Sequence, residues 1–114
     1  MTRWVAVCAG AAVVISVAAA AQADEMKQTM QELYSYVVIT DLCLDVHPEL
    51  KSRGLQAFAD TLAPQAEAAR AYVQRYPDPV YDAGLKRHHF GISDQDLDIA
   101  CDKLAAAGRV GKMP

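Results

Sequence analysis

Apolar side chains recur at helical spacing over most of the chain that follows residue 24. The densest pattern lies in residues 32–46, within a first helix predicted over about 25–46. Its apolar face consists of Met26, Met30, Leu33, Val37 and Leu44, widened by Tyr36, Ile39 and Cys43. A β-branched run over 37–40 is also typical of a strand, but the helical period on both sides and the lack of a pairing strand favour a helix. The methionines and tyrosines of this face are interpreted as core residues.

Prolines divide the middle of the chain. His47 precedes Pro48, and because a residue before proline is disfavoured in the α conformation, the first helix is predicted to end there. A second helix is predicted from Pro48, with an apolar face made of Leu50, Leu55, Phe58 and Leu62. Pro64 is predicted to end or kink that helix, and a third helix follows over 64–76. A clear break then comes at Pro77, Asp78 and Pro79.

Two further helices are predicted in the last third of the chain. The first covers 80–90, and Gly91 is predicted to end it in the left-handed conformation. Ser93 is predicted to cap the final helix, with Asp96 at the third helical position, and this helix is predicted to stop at Gly108. The residues expected to face inward are Val80, Tyr81 and Leu85 in the first helix and Leu97, Ala100, Cys101 and Leu104 in the second. The predicted fold is therefore all-α, a small bundle of four to five helices.

The first 23 residues have the layout of a secretory signal peptide. Arg3 supplies the positive charge, residues 4–21 carry none, and Ala21, Gln22 and Ala23 form a small-x-small cleavage site. The alternative is an uncleaved membrane anchor, but an uncharged run of 18 residues rich in alanine is at the lower edge of what spans a bilayer. We therefore predict a signal peptide over 1–23, a single helical domain over 24–108 and a flexible tail over 109–114. Cleavage near Ala23 predicts a periplasmic or secreted protein that meets the membrane only through the signal segment before cleavage.

Two cysteines remain after the predicted cleavage, Cys43 and Cys101, because Cys8 leaves with the signal peptide. An even number of thiols in an oxidising compartment is typical of a disulfide, which here would link the first and last helices of the mature chain. The pair would close a loop of 58 residues, worth about 4 kcal/mol in loop-closure entropy. A metal site is the alternative, but the polar residues around Cys43 match metal-ligand spacing poorly. These residues are Asp41, Asp45 and His47.

The chain is acidic overall and contains one basic cluster. Without Arg3, ten lysines and arginines face fourteen aspartates and glutamates, which argues against a nucleic-acid-binding protein. The one basic cluster is Lys86, Arg87, His88 and His89, near the end of a predicted helix, where the helix dipole favours cations. Two alternatives to the helix-dipole explanation are that the cluster is a contact surface for a partner, or that its histidines form a copper or zinc site with His47. Metal is disfavoured, because adjacent histidines on a helix point about 100° apart.

A calcium loop is also disfavoured. Asp94, Asp96 and Asp98 have the alternating spacing of such a loop, but the loop glycine and the glutamate at position twelve are missing. Three acidic residues in the first turns of a capped helix are explained by the helix dipole alone.

The sequence carries no motif of a known enzyme class. It contains no Gly-x-Ser-x-Gly, no His-Glu-x-x-His and no phosphate-binding glycine loop, and a bundle of this size offers little room for a deep substrate cleft. We therefore expect a protein that is not an enzyme and holds no cofactor. In size and class alone, with no shared motif, a short exported helical domain with one disulfide resembles small periplasmic chaperones and the immunity proteins that block toxic cell-wall amidases.

Partner binding is the function that these observations favour. Tyr72, Tyr76 and Tyr81 bracket the proline-rich break, and aromatic and cationic side chains near a rigid turn are typical of binding surfaces. We predict binding to another exported protein, as an inhibitor or chaperone-like protein, or to a second copy of the chain. The candidate contact residues are Tyr76, Tyr81, Lys86, Arg87, His88 and His89. The alternative is a periplasmic metal-binding protein that uses His47, His88 and His89.

Overall fold

The computed structural model describes the backbone of residues 2–114 and the side chains of residues 21–89 and 91–114. Helices form in the order α1 Thr2–Val46, a 3₁₀ helix Pro48–Arg53, α2 Leu55–Arg75, α3 Pro79–Gly91 and α4 Asp94–Val110. The described backbone contains no strand, which resolves the β-branched run over 37–40 in favour of helix. The predicted all-α bundle of four to five helices is confirmed.

Helix α1 contains the predicted first helix and begins well before it. It runs from Thr2 to Val46, so the predicted start near residue 25 falls inside a continuous helix. The side chains of the predicted signal peptide up to residue 20 lie outside the described residues, and its cleavage stays a prediction. Over residues 21–89 and 91–114, no helical stretch is both long enough and apolar enough to cross a membrane.

The core lies between the C-terminal half of α1, α2 and α4. Its buried apolar residues are Val37, Cys43, Leu55, Phe58, Leu62, Ala69, Leu97, Cys101, Leu104, Ala105 and Ala107. Phe58 is the largest fully buried side chain, and the ring of Tyr36 meets it edge-on at 6.1 Å between centroids. Thr40 is also buried, and its hydroxyl donates to the Tyr36 carbonyl at 2.6 Å, so no polar group is left unsatisfied there.

The disulfide joins α1 to α4 through this core. Cys43 and Cys101 are bonded, with their Cα atoms 5.5 Å apart, and neither residue has any exposed surface. The predicted covalent link between the first and last helices is therefore confirmed.

The break in the predicted second helix occurs at Gly54, not at Pro64. Residues before Gly54 form the 3₁₀ helix, and Gly54 itself has a φ of +117°, a conformation that a side chain rarely adopts. Helix α2 then continues through Pro64 without interruption, so the prediction of a separate helix over 64–76 is wrong. Asp60 and Pro64 are both exposed, so the carbonyl that proline leaves without an amide partner lies on the solvent side, while the apolar face of α2 stays packed.

Gly54 lies directly against α4, and this contact explains Gly108. A Cβ atom on Gly108 would collide with the carbonyl oxygen of Gly54, and one on Gly54 would collide with the carbonyl oxygen of Ala105. The predicted stop at Gly108 is therefore wrong: the glycine permits close approach inside α4. The helix ends instead at Gly111, which has a φ of +71° and donates its amide to the Ala107 carbonyl.

The junction between α3 and α4 combines one confirmed cap with one error. The hydroxyl of Ser93 accepts the amide of Asp96 at 3.1 Å, as predicted. Gly91 is not left-handed; it is the last residue of α3, and the chain leaves the helix through the extended backbone of Ile92, with φ −70° and ψ 132°. The prediction that Gly91 ends the helix by a positive φ is wrong.

Candidate functional site

A cleft opens where the turn between α2 and α3 lies beside α1. It is lined by Ala23, Asp24, Met26, Lys27, Tyr72, Tyr76, Pro77, Asp78 and Pro79, and its volume is about 630 Å³. We call it the tyrosine–proline cleft. Its volume is within the range of about 300–1,000 Å³ that is usual for sites that bind small molecules or single side chains.

Asp78 positions α3 at this cleft through both of its carboxylate oxygens. Oδ1 accepts the amides of Val80 and Tyr81 at 3.1 and 3.2 Å and so caps α3. Oδ2 accepts a hydrogen bond from the side-chain amide Nε2 of Gln31 at 3.0 Å and lies 3.1 Å from Nζ of Lys27, and both of these residues are on α1. The Gln31 hydrogen bond, followed by the contact with Lys27, lowers the pKa of Asp78 to about 2. Asp78 therefore stays ionised and fastens the start of α3 to α1.

Tyr81 makes the second attachment of α3. Its hydroxyl donates to the carbonyl of Gln31 at 2.7 Å and lies 2.8 Å from Oγ of Ser35. Partial burial raises the pKa of Tyr81. Among the candidate contact residues, Tyr81 thus uses its hydroxyl inside the fold, where it orients α3 on α1.

Tyr72 and Tyr76 form the aromatic wall of the cleft. Their ring centroids are 4.8 Å apart with a tilt of 44°. Arg75 supports Tyr76: its guanidinium carbon lies 5.6 Å from the ring centroid, and its Nε donates to the tyrosine hydroxyl at 3.2 Å. The wall is therefore held in place while Tyr76 remains 54% exposed.

Exposed apolar side chains gather at this end of the molecule. Met26, which lines the cleft, is 49% exposed, and Val80, just after Pro79, is 81% exposed. Both were expected to face the core, and both expectations are wrong. Within the described part of the chain, α3 packs against α1 alone and buries no residue fully, so no neighbour covers Val80.

The basic cluster lies at the opposite end of α3. Lys86, Arg87 and His88 are exposed, whereas His89 is half-buried. Arg87 is seven residues after Val80 and therefore shares its outward face, while His88 is seven residues after Tyr81 and lies beside Ser35 and Ile39 of α1. The outer face of α3 thus changes from apolar to basic along its length.

The three histidines of the metal-binding alternative do not come together. The ring nitrogens of His47 lie 2.9 Å from Glu49 Oε1 and 2.5 Å from Asp98 Oδ1, whereas His88 lies on α3 beside a shallow pocket that includes Ser35 and Ile39. Across residues 21–89 and 91–114, no group of three or more histidines, cysteines, aspartates or glutamates could hold a metal ion.

The comparisons with known proteins add no relationship. No protein-family model matches the chain, and neither a curated protein nor a solved structure does. Function must therefore be argued from the surface of this molecule.

Proposed function

We propose that the chain is exported and acts by binding another exported protein. The contact surface would consist of the outer face of α3 and the tyrosine–proline cleft without Ala23, which leaves with the predicted signal peptide. The observation that carries the proposal is that three exposed large apolar residues lie in the cleft or directly beside it: Met26 and Tyr76 line it, and Val80 follows Pro79, which lines it. Contiguous apolar surface on a small protein is a mark of interaction sites.

The chemistry of this surface matches that of energetically important contact residues. Tyrosine and arginine are enriched at such positions, because they bury a large area with few rotatable bonds and also offer polar groups. Tyr76 and Arg75 supply both at the rim of the cleft. The partner would insert an apolar side chain between Tyr76 and Met26.

Charge supplies a second element of recognition. Lys86 and Arg87 lie exposed on a chain whose net charge is −3. A partner with acidic residues opposite the end of α3 would be attracted there. Such complementarity raises the association rate and fixes the orientation of the partner.

The rigidity of the cleft favours an inhibitor over a chaperone. Proteins that bind many partners use flexible surfaces that repack. Here Asp78 ties one wall to α1 through Gln31 and Lys27, and Arg75 holds the ring of Tyr76. A fixed cleft suits one partner, bound one to one. Export is supported by the signal-like N-terminal segment and by the disulfide, which forms in oxidising compartments.

Tyr76→Ala tests the cleft, with Ile99→Ala as the matched control. Ile99 is 46% exposed on α4, so both substitutions truncate an exposed side chain and should leave the melting temperature nearly unchanged. We expect Tyr76→Ala to lower the affinity for the partner captured from an envelope extract by about tenfold or more, and Ile99→Ala to leave that affinity unchanged. Equal effects of the two variants, or a joint loss of stability and binding in Tyr76→Ala, would contradict the proposal.

Arg87→Glu tests the charged part of the surface, with Lys103→Glu as its control. Both residues are exposed and both substitutions change the charge by the same amount. The association rate with the captured partner should fall for Arg87→Glu alone, and the difference should shrink as salt is added. Equal slowing by the two variants would mean that only net charge matters.

A further inference from the structure

His47 lies at the end of α1 between two carboxylates from different elements. Nδ1 is 2.9 Å from Oε1 of Glu49, in the 3₁₀ helix, and Nε2 is 2.5 Å from Oδ1 of Asp98, in the first turns of α4. An ionised carboxylate only accepts hydrogen bonds, and a neutral imidazole carries a single N–H. Both contacts can therefore be hydrogen bonds at the same time only when the ring is the doubly protonated imidazolium.

These contacts join the same two helices as the disulfide does. His47 directly follows the last residue of α1, four residues after Cys43, and its amide donates to the Cys43 carbonyl at 2.8 Å. On α4, Asp98 precedes Cys101 by three residues. An ionic link thus lies about one turn beyond the covalent one.

We propose that His47, Glu49 and Asp98 form a pH-sensitive clasp, which closes the corner between α1, the 3₁₀ helix and α4 when His47 is protonated and loosens it when the ring loses a proton. The clasp is independent of the tyrosine–proline cleft, and its test does not require the binding partner.

The two carboxylates determine the pH range of the clasp. The hydrogen bond to Glu49, followed by that to Asp98, raises the pKa of His47 above its ordinary value of 6.5. Its contribution to stability is therefore complete below pH 6.5 and is lost as the pH rises through the raised pKa. The pKa of Glu49 is lowered from 4.5, first by a backbone amide and then by His47, so its contribution is present above pH 4.5 and is lost as the pH falls through the lowered value.

The other charged residues nearest in sequence to the clasp are Asp45 of α1, Lys51 and Arg53 of the 3₁₀ helix, and Asp94, Asp96 and Asp102 of α4. Glu49 and Asp98 are the charged groups that shift the pKa of His47, and Arg53 of the 3₁₀ helix acts on Glu49. Helix α2, which packs against the 3₁₀ helix, has no charged residue before Asp60. The full strength of the clasp is therefore expected between pH 4.5 and pH 6.5.

The disulfide reports whether the corner is open. Both sulfurs are fully buried, so a water-soluble phosphine reductant reaches them only after α1 and α4 separate locally. We compare the reduction rate of the wild-type protein with that of His47→Gln at about pH 5.5 and about pH 8.5, on either side of the proton loss. The ratio of the two rates at one pH cancels the pH dependence of the reagent.

His47→Gln should be reduced about two- to fivefold faster than the wild type at the lower pH, and at about the same rate at the higher pH. Asp98→Asn should behave in the same way, and His88→Gln, which changes an exposed histidine of α3, should match the wild type at both pH values. A rate ratio that does not depend on pH would overturn the proposal. Nuclear magnetic resonance titration of the wild-type protein gives a second test: a His47 pKa at or below the ordinary value would also overturn it.

Discussion

The two parts of this molecule are held together by different forces. The C-terminal half of α1 packs with α2 and α4 through fully buried apolar residues and the Cys43–Cys101 disulfide. Helix α3 has no fully buried residue among those described and is held to α1 by the polar contacts of Asp78 and Tyr81. Apolar burial is non-directional, whereas hydrogen bonds fix orientation. The bundle therefore supplies stability, and the hydrogen bonds orient the helix that borders the proposed contact surface.

Substitutions in the two parts should therefore affect stability in different ways. Changes in the bundle should alter global stability, because packed cores tolerate neither voids nor added volume. Changes at the attachment of α3 should alter local opening, because regions with little buried apolar surface open most easily. The following predictions separate the two.

Removal of the disulfide should have the largest effect. The double variant Cys43→Ala, Cys101→Ala should lower the free energy of unfolding by about 2–5 kcal/mol, because the unfolded chain regains the freedom of a loop of 58 residues. Urea denaturation measures the loss. Thiol titration of the exported wild-type protein, denatured without reductant, should find no free thiol, and two free thiols per chain would refute the link.

Two glycines offer a matched pair, one in each part. Gly108→Ala should destabilise the bundle by about 1–3 kcal/mol, because the new methyl group meets the backbone of Gly54, which cannot move aside like a side chain. Gly84→Ala in α3 should stabilise by about 0.5–1 kcal/mol, since the nearest atom is Nη2 of Arg87 at 3.9 Å and alanine favours the helix. A thermal melt measures the loss in Gly108→Ala, and slower hydrogen exchange of α3 amides measures the gain in Gly84→Ala. Effects of the same sign would contradict the contrast between the two parts.

The smallest global effect is expected at Asp78. Asp78→Ala removes both the cap of α3 and the contacts with Gln31 and Lys27, so amides of α3 should exchange faster with solvent while those of α2 and α4 keep their protection. Asp78→Asn is the control, because asparagine also caps helices, and it should have a weaker effect. Equal loss of protection throughout the chain would show that α3 belongs to the cooperative core.

Acid should reproduce part of the Asp78 effect. The pKa of Asp78 is lowered from 3.8 to about 2, so its contribution is present above pH 3.8 and is lost as the pH falls through about 2. The protection of α3 amides, relative to that of α2 and α4 amides at the same pH, should fall over that interval, because all amides share the intrinsic pH dependence of exchange. An Asp78→Asn variant with the same acid response as the wild type would assign the change to another group.

Much of the bundle could be predicted from local signals. The apolar period identified the buried faces that carry Val37 and Leu104, and the Ser93 cap lies where its side chain indicated. The disulfide followed because the chain offered a single pair of cysteines after the predicted cleavage. The helical faces and the cap depend on residues near one another in the sequence, and the disulfide had only one possible pairing.

The errors share a different cause. Gly108 looked like a helix stop, but its role is set by Gly54, which is more than fifty residues away in the sequence. Pro64 looked like a boundary, but packing of the opposite face of α2 keeps the helix intact. A local pattern cannot show which element will lie against it.

The candidate site divides in the same way. Tyr76 and the basic end of α3 are exposed, and their role in binding stays a prediction, whereas the cleft itself depends on Met26 and Lys27, far upstream in the chain. Asp78 was treated only as part of a break. An aspartate directly before a proline at the first helical position is a capping signal, and it would have identified the start of α3.

The placement of the disulfide also constrains the timing of folding. Cys43 lies on α1 and Cys101 on the last helix, so the intervening α2 and α3 must be synthesised before the bond can form. The ribosome adds about 5–20 residues per second, so Cys43 is synthesised several seconds before Cys101. During that time its thiol is available for mixed disulfides with other molecules. Covalent closure therefore follows the synthesis of α2 and α3, and a nascent chain truncated before residue 101 cannot form this bond.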